Sequence, residues 1–141
     1  MLKNIAVAVD GSKTSEKALS MAIELGRALS ASLTLLTVAP LHIVPAGTAT
    51  AIPVIHDAEV KVHQELLTRL QNQVALAGLK VSTVLLDGFV AEEILRYLDE
   101  NPFDLLVMGA RGLSAGQRFF LGSVSDAVVH HAKVPVLIVR E

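Results

Sequence analysis

The chain has 141 residues, no cysteine and a formal net charge of −2, so it has the length of one domain and excludes a disulfide framework, a thiolate metal site and a cysteine nucleophile. One tyrosine, four phenylalanines and no tryptophan, with no basic stripe between them, leave little surface on which bases could stack, which argues against nucleic acid as a partner. Hydrophobic residues reach 52% against 18% charged ones, yet the one long uncharged stretch, Ala28 to His56, is interrupted by Pro40, Pro45, Gly47 and Pro53, so no continuous membrane-spanning helix is expected.

The first predicted strand is the apolar run Asn4 to Val9, closed by Asp10-Gly11-Ser12. It is too short before Asp10 to serve as the apolar part of a signal peptide, which points to a cytoplasmic protein. A helix follows, with Ala18, Leu19, Ala22, Ile23, Gly26 and Leu29 at helical spacing and Ser12, Thr14 or Ser15 as its cap. Ser32 to Val38 is the second strand, and an uncharged loop from Ala39 to His56 leads to a second helix over Asp57 to Ala77. That helix carries a stripe of Val60, His63, Leu67, Leu70 and Val74, and Gly78 ends it. Val81 to Leu86 is the third strand, Asp87-Gly88 a turn, and Ala91 to Asn101 a helix stopped by Pro102. Asp104 reads as a surface turn residue before the fourth strand, Leu105 to Met108. Ser123 to Ala132 is the fourth helix and Val134 to Arg140 the fifth strand.

Strict strand and helix alternation with short connections is the signature of an open, Rossmann-like α/β fold with a parallel five-stranded sheet and helices on both faces. Two strand orders are compatible with it. A 3-2-1-4-5 order sets the end of strand one against the loop after strand four, whereas 2-1-3-4-5 brings Asp10 to Asp87. Ligands of such sheets bind where the winding reverses, at the carboxyl ends of the strands, and the glycine-rich loop after strand four favours the first order.

That loop runs from Met108-Gly109-Ala110-Arg111-Gly112 to Gly122-Ser123-Val124-Ser125-Asp126. Glycines at its ends and a helix start behind it are the parts of a phosphate cradle, and also those of an ordinary turn and cap. Ser123 with Asp126 forms a capping-box-like pair, which competes with phosphate for the helix start. Arg111 and Arg118 are second-tier candidates for neutralising phosphate charge. Asp10 can accept from a ribose hydroxyl or an exocyclic amine, hold a metal through water, or simply form an Asx-turn. Neither a Walker nor a dinucleotide glycine signature is present: Ser12 separates Gly11 from Lys13, and no G-x-G precedes Gly112. His56 and His63, seven apart and without a third ligand, make a poor zinc site, and no catalytic residue is assigned. Strand five, with Val136, Leu137, Ile138 and Val139, is apolar on both faces and lies at a sheet edge, which predicts a homodimer through that edge.

Gly109, two residues, Gly112, nine residues and Gly122-Ser123 together resemble the G-2x-G-9x-G-[S/T] motif of the ATP-binding branch of the universal stress protein family. The runs Ile5 to Asp10, Asp104 to Gly109 and Val134 to Arg140 extend the resemblance over nearly the whole chain. It implies a 3-2-1-4-5 sheet, a dimer through strand five, and ATP with magnesium across strands one and four. By position, Asp10 and the Val38 backbone would meet adenine and ribose. Met108, Gly109 and Gly112 would line ribose and phosphates, and Gly122, Ser123 and Val124 would cradle the phosphate tail. The function so implied is nucleotide-dependent regulation in stress. Slow ATP hydrolysis or phosphotransfer, and an adaptor that binds no nucleotide, are the alternatives.

Overall fold

The computed structural model describes residues 1–41, 52–111 and 121–141. Along the chain run β1 (Asn4–Ala8), α1 (Lys13–Leu29), β2 (Ser32–Pro40), α2 (Ile52–Leu76), β3 (Val81–Gly88), α3 (Val90–Glu100), β4 (Leu105–Gly109), α4 (Ser123–His131) and β5 (Val136–Val139). The strands form one sheet in the order β3-β2-β1-β4-β5, and every neighbouring pair is parallel. The structure has the order that the glycine-rich loop favours, reversing between β1 and β4.

The period of two along each strand splits the core between the faces of the sheet. Ile5, Val7, Leu33, Leu35 and Val107 point toward α1 and α2, where Ala18, Leu19, Leu67, Leu70 and Val74 meet them. Ala6, Leu36, Val38, Leu106 and Met108 point to the other face, against Ile94 and Leu98 of α3 and Val128 of α4. Both faces of the central strands are therefore covered, which is why β1 and β4 read as unbroken apolar runs rather than alternating ones.

Element ends differ from the sequence expectation where side-chain chemistry is locally ambiguous. β3 continues through Asp87 and Gly88, which pair with Ala39 and Pro40 of β2 instead of forming a turn. Gly88 accommodates φ +137° there, and its carbonyl accepts the N–H of Leu41 at 3.0 Å. α2 starts at Ile52, before Asp57, since Pro53 in a first turn costs no helical hydrogen bond. Gly78, at φ +87°, ends α2 as expected. Asp104 does more than turn the chain: its carboxylate accepts the backbone N–H groups of Lys3 and Asn4, each at 2.9 Å, tying the start of β1 to the start of β4. Those two donors hold its pKa below the usual aspartate value. Among the described residues no helix is long and apolar enough to cross a membrane.

Candidate functional site

The site is built where β1 and β4 part. The pairings Ala8↔Leu36 and Val7↔Val107, continued along the strands, bring Asp10 level with Val38 on one side and Ala110 on the other. Asp10 stands at the end of β1 and bends the chain sharply: its Oδ1 accepts the N–H of Ser12 at 2.9 Å, and its own N–H donates to Ser15 Oγ at 3.1 Å. This is the Asx-turn that the Asp-Gly pair allows, with Gly11 at φ +86°. Of the three candidate caps, Ser12 is the one that closes α1, accepting the N–H of Ser15 at 3.2 Å.

The start of α4 is made differently. Ser123 was expected to be its cap; instead the cap is Gly122, which has no side chain with which to close the helix, and Ser123 is the exposed first helical residue. The N–H of Asp126 makes the first helical bond, to the Gly122 carbonyl at 2.9 Å. The N–H groups of Ser123, Val124 and Ser125 precede it and have no intrahelical acceptor, as at any helix start. They carry the positive end of the helix dipole toward the β1–β4 edge. An anion there is electrostatically favoured at α4, whereas at α1 a serine side chain already takes up a donor.

Gly109 is required by close packing, and Gly122 is tightly seated. A Cβ on Gly109 would lie 2.6 Å from Thr14 Oγ1 and 2.9 Å from the Thr14 carbonyl carbon, so α1 crosses β4 only because residue 109 has no side chain. A Cβ on Gly122 would stand 3.3 Å from the Arg111 Cα. Val38 and Met108 bury their side chains in the core on the α3–α4 face, so only their backbone borders the strand ends. The Arg111 side chain is 12% exposed and lies against the C-terminal region, its Nη2 3.4 Å from Glu141 Oε1. Gly112 and Arg118 lie outside the described residues, as does most of the uncharged loop.

Two hydroxyls were not singled out from the sequence for this edge. Thr14, considered only as a cap, donates to the Arg111 carbonyl, and Ser125, two residues past the glycine motif and given no role, donates to the Ala110 carbonyl. The available signal was a hydroxyl in the first turn of each helix that begins at the strand ends. Of the two histidines raised as a metal pair, His63 has its ring nitrogen Nδ1 2.8 Å from the Glu59 carbonyl of its own helix, and the side chain of His56 lies outside the described residues. No cluster of three histidine, aspartate or glutamate side chains occurs among the described residues.

The model of the universal stress protein family matches residues 1–140. The chain belongs to that family. Universal stress protein YxiE of Bacillus subtilis is 34% identical over 148 residues, which cover 99% of this chain and all of the relative. Among solved members, universal stress protein UspA from Lactobacillus plantarum superposes with a TM-score of 0.90 at 27% identity, covering 99% of this chain and 98% of its own. A universal stress protein solved in complex with cAMP has a TM-score of 0.74 at 27% identity, over 98% and 97% of the two chains. More distant members of the same fold are complexes with dAMP, from Archaeoglobus fulgidus, and with AMP, from Arabidopsis thaliana.

Proposed function

We propose that this universal stress protein binds ATP at the β1–β4 reversal and acts as a homodimeric, cytoplasmic regulator whose state follows the nucleotide. The observation that carries the reading is the glycine-capped start of α4 beside Asp10, a preorganised set of N–H donors with a hydrogen-bond acceptor across from it. That family members are complexes with cAMP, dAMP and AMP supports an adenine nucleotide as the ligand. In this reading Asp10 and the Val38 backbone take the adenine and ribose. Met108, Gly109 and Gly112 line the ribose and inner phosphates, with Gly122, Ser123 and Val124 at the tail and Arg111 and Arg118 as secondary charges.

Magnesium fits as a companion of the phosphates. It commonly binds through substrate phosphates and water with one or two carboxylates, and no residue of this chain is assigned to it, Asp10 being engaged with the adenine and ribose. The protein's own part is to bind and orient; with no lysine following a glycine in the loop, no residue is assigned to stabilise a transferring phosphoryl group.

The dimer uses the open edge of β5. Pro135 and Val139 direct their carbonyls to Leu106 of β4 and to Ala110 just past it, so residues 136 and 138 turn their backbone groups outward, ready to pair with a second copy.

The test is extraction of nucleotide from purified protein, followed by calorimetric titration of ATP with and without magnesium, and of Gly122→Val. Micromolar or tighter binding that Gly122→Val weakens at least tenfold is expected. Absence of binding would favour the adaptor, and turnover lost in Asp10→Ala would favour a hydrolase.

A further inference from the structure

Two buried hydroxyls from two different helices clamp the end of β4. Thr14, 4% exposed on the first turn of α1, donates to the Arg111 carbonyl. Ser125, 2% exposed on α4, donates to the Ala110 carbonyl, which also accepts the N–H of Gly122 at 2.8 Å. The Ala110 N–H is taken by Val139 of β5 at 2.9 Å. Residues 110 and 111 are thus held by α1, α4 and β5 together, and the helix cap Gly122 is tied back onto the strand from which the glycine-rich segment leaves.

This arrangement bears on an anion in two ways. Each hydroxyl has one proton, and giving it to a carbonyl removes the hydroxyl as a ligand donor while neutralising part of the negative charge on that oxygen. It also fixes the distance between the end of β4 and the start of α4, so that the N–H groups of α4 need no rearrangement when a phosphate arrives.

We propose that Thr14 and Ser125 are positioning residues for the phosphate end of the bound nucleotide, setting affinity for the phosphate tail without touching it. The proposal rests on the nucleotide reading above. Its test compares wild type with Thr14→Val, which keeps the shape and loses the hydroxyl, Thr14→Ser, which keeps the hydroxyl, and Ser125→Ala. Each protein is titrated with ATP and, by competition, with adenosine, and its thermal midpoint is recorded without ligand.

Thr14→Val and Ser125→Ala should weaken ATP about tenfold each, the scale of one ordinary hydrogen bond, and leave adenosine within about twofold, while Thr14→Ser restores ATP binding. Unchanged ATP affinity in both hydroxyl-free variants would overturn the proposal. So would equal losses for ATP and adenosine, or a Thr14→Ser variant as weak as Thr14→Val. A wild-type protein that binds neither ligand would instead overturn the nucleotide reading beneath it. Should Thr14→Val fail to fold, Ser125→Ala with Thr14→Ser carries the same comparison.

Discussion

Replacing Gly109 by alanine tests whether the first glycine of the motif is demanded by helix packing. The added Cβ would lie 2.6 Å from Thr14 Oγ1, and 2.9 Å from both the Thr14 carbonyl carbon and its Cβ. Real Cβ contacts do not come this close, and one of the three atoms is backbone, so rotating the threonine cannot relieve the strain; α1 or the end of β4 must move. Overpacking of this kind costs about 1–3 kcal/mol, and displacing Thr14 from the Arg111 carbonyl adds about 1 kcal/mol, for a loss of about 2–4 kcal/mol. In a domain near this length that is a fall in Tm of roughly 5–15 °C. The assay is urea unfolding followed by circular dichroism at one fixed protein concentration, since dimerisation would otherwise shift the midpoint. Adding Thr14→Ala removes only the Oγ1 contact, so it should recover less than half of the loss. A Gly109→Ala variant within about 0.5 kcal/mol of wild type, or full rescue by Thr14→Ala, would refute the packing argument.

Ser12→Ala leaves the start of α1 without its cap and should cost about 1 kcal/mol, read as a lower urea midpoint at unchanged slope, while Ser12→Asp should hold the stability. Asp104 has a depressed pKa in the folded protein because Lys3 and Asn4 donate to its charged form. Its contribution is therefore present above the ordinary aspartate pKa and lost as pH falls through the lower folded value. Asp104→Asn should flatten the stability profile on the acid side, and an unchanged acid limb would speak against the staple. Ile138→Pro removes a backbone N–H that faces the open edge and not β4, so the fold should survive while the proposed edge pairing is lost; sedimentation equilibrium should then show a dimer for wild type and a monomer for the variant.

Much of this molecule is legible without coordinates because its strands are buried on both faces. Leu105-Leu106-Val107-Met108 and Ile5-Ala6-Val7, short apolar runs closed by turn residues, match strands of a covered parallel sheet, and the helices between them announce themselves by their apolar stripes. Boundaries were harder where one residue type serves two conformations. Asp87-Gly88 is a common turn pair, yet hydrogen bonds to β2 keep it in the ladder. Ser123 is a good cap by type, but the tie from the Gly122 N–H to Ala110 seats the glycine in the cap position and moves the serine one step into the helix.

The order of residues alone determined the class of fold, the family motif and the presence of Asp10 at the end of the first strand, because these depend on periodicity and spacing within short stretches. Three things were decided only in three dimensions. The glycine-rich loop and the family motif favoured one of two strand orders, and the hydrogen bonds between strands decided it. The need for glycine at position 109 came from a helix whose Thr14 stands 95 positions earlier in the chain, and the pairing of Thr14 and Ser125 with successive carbonyls came from two helices meeting one strand end. Contacts between residues so far apart in the chain leave no local pattern, since what sets them is the close packing of α1 and α4 against the end of β4.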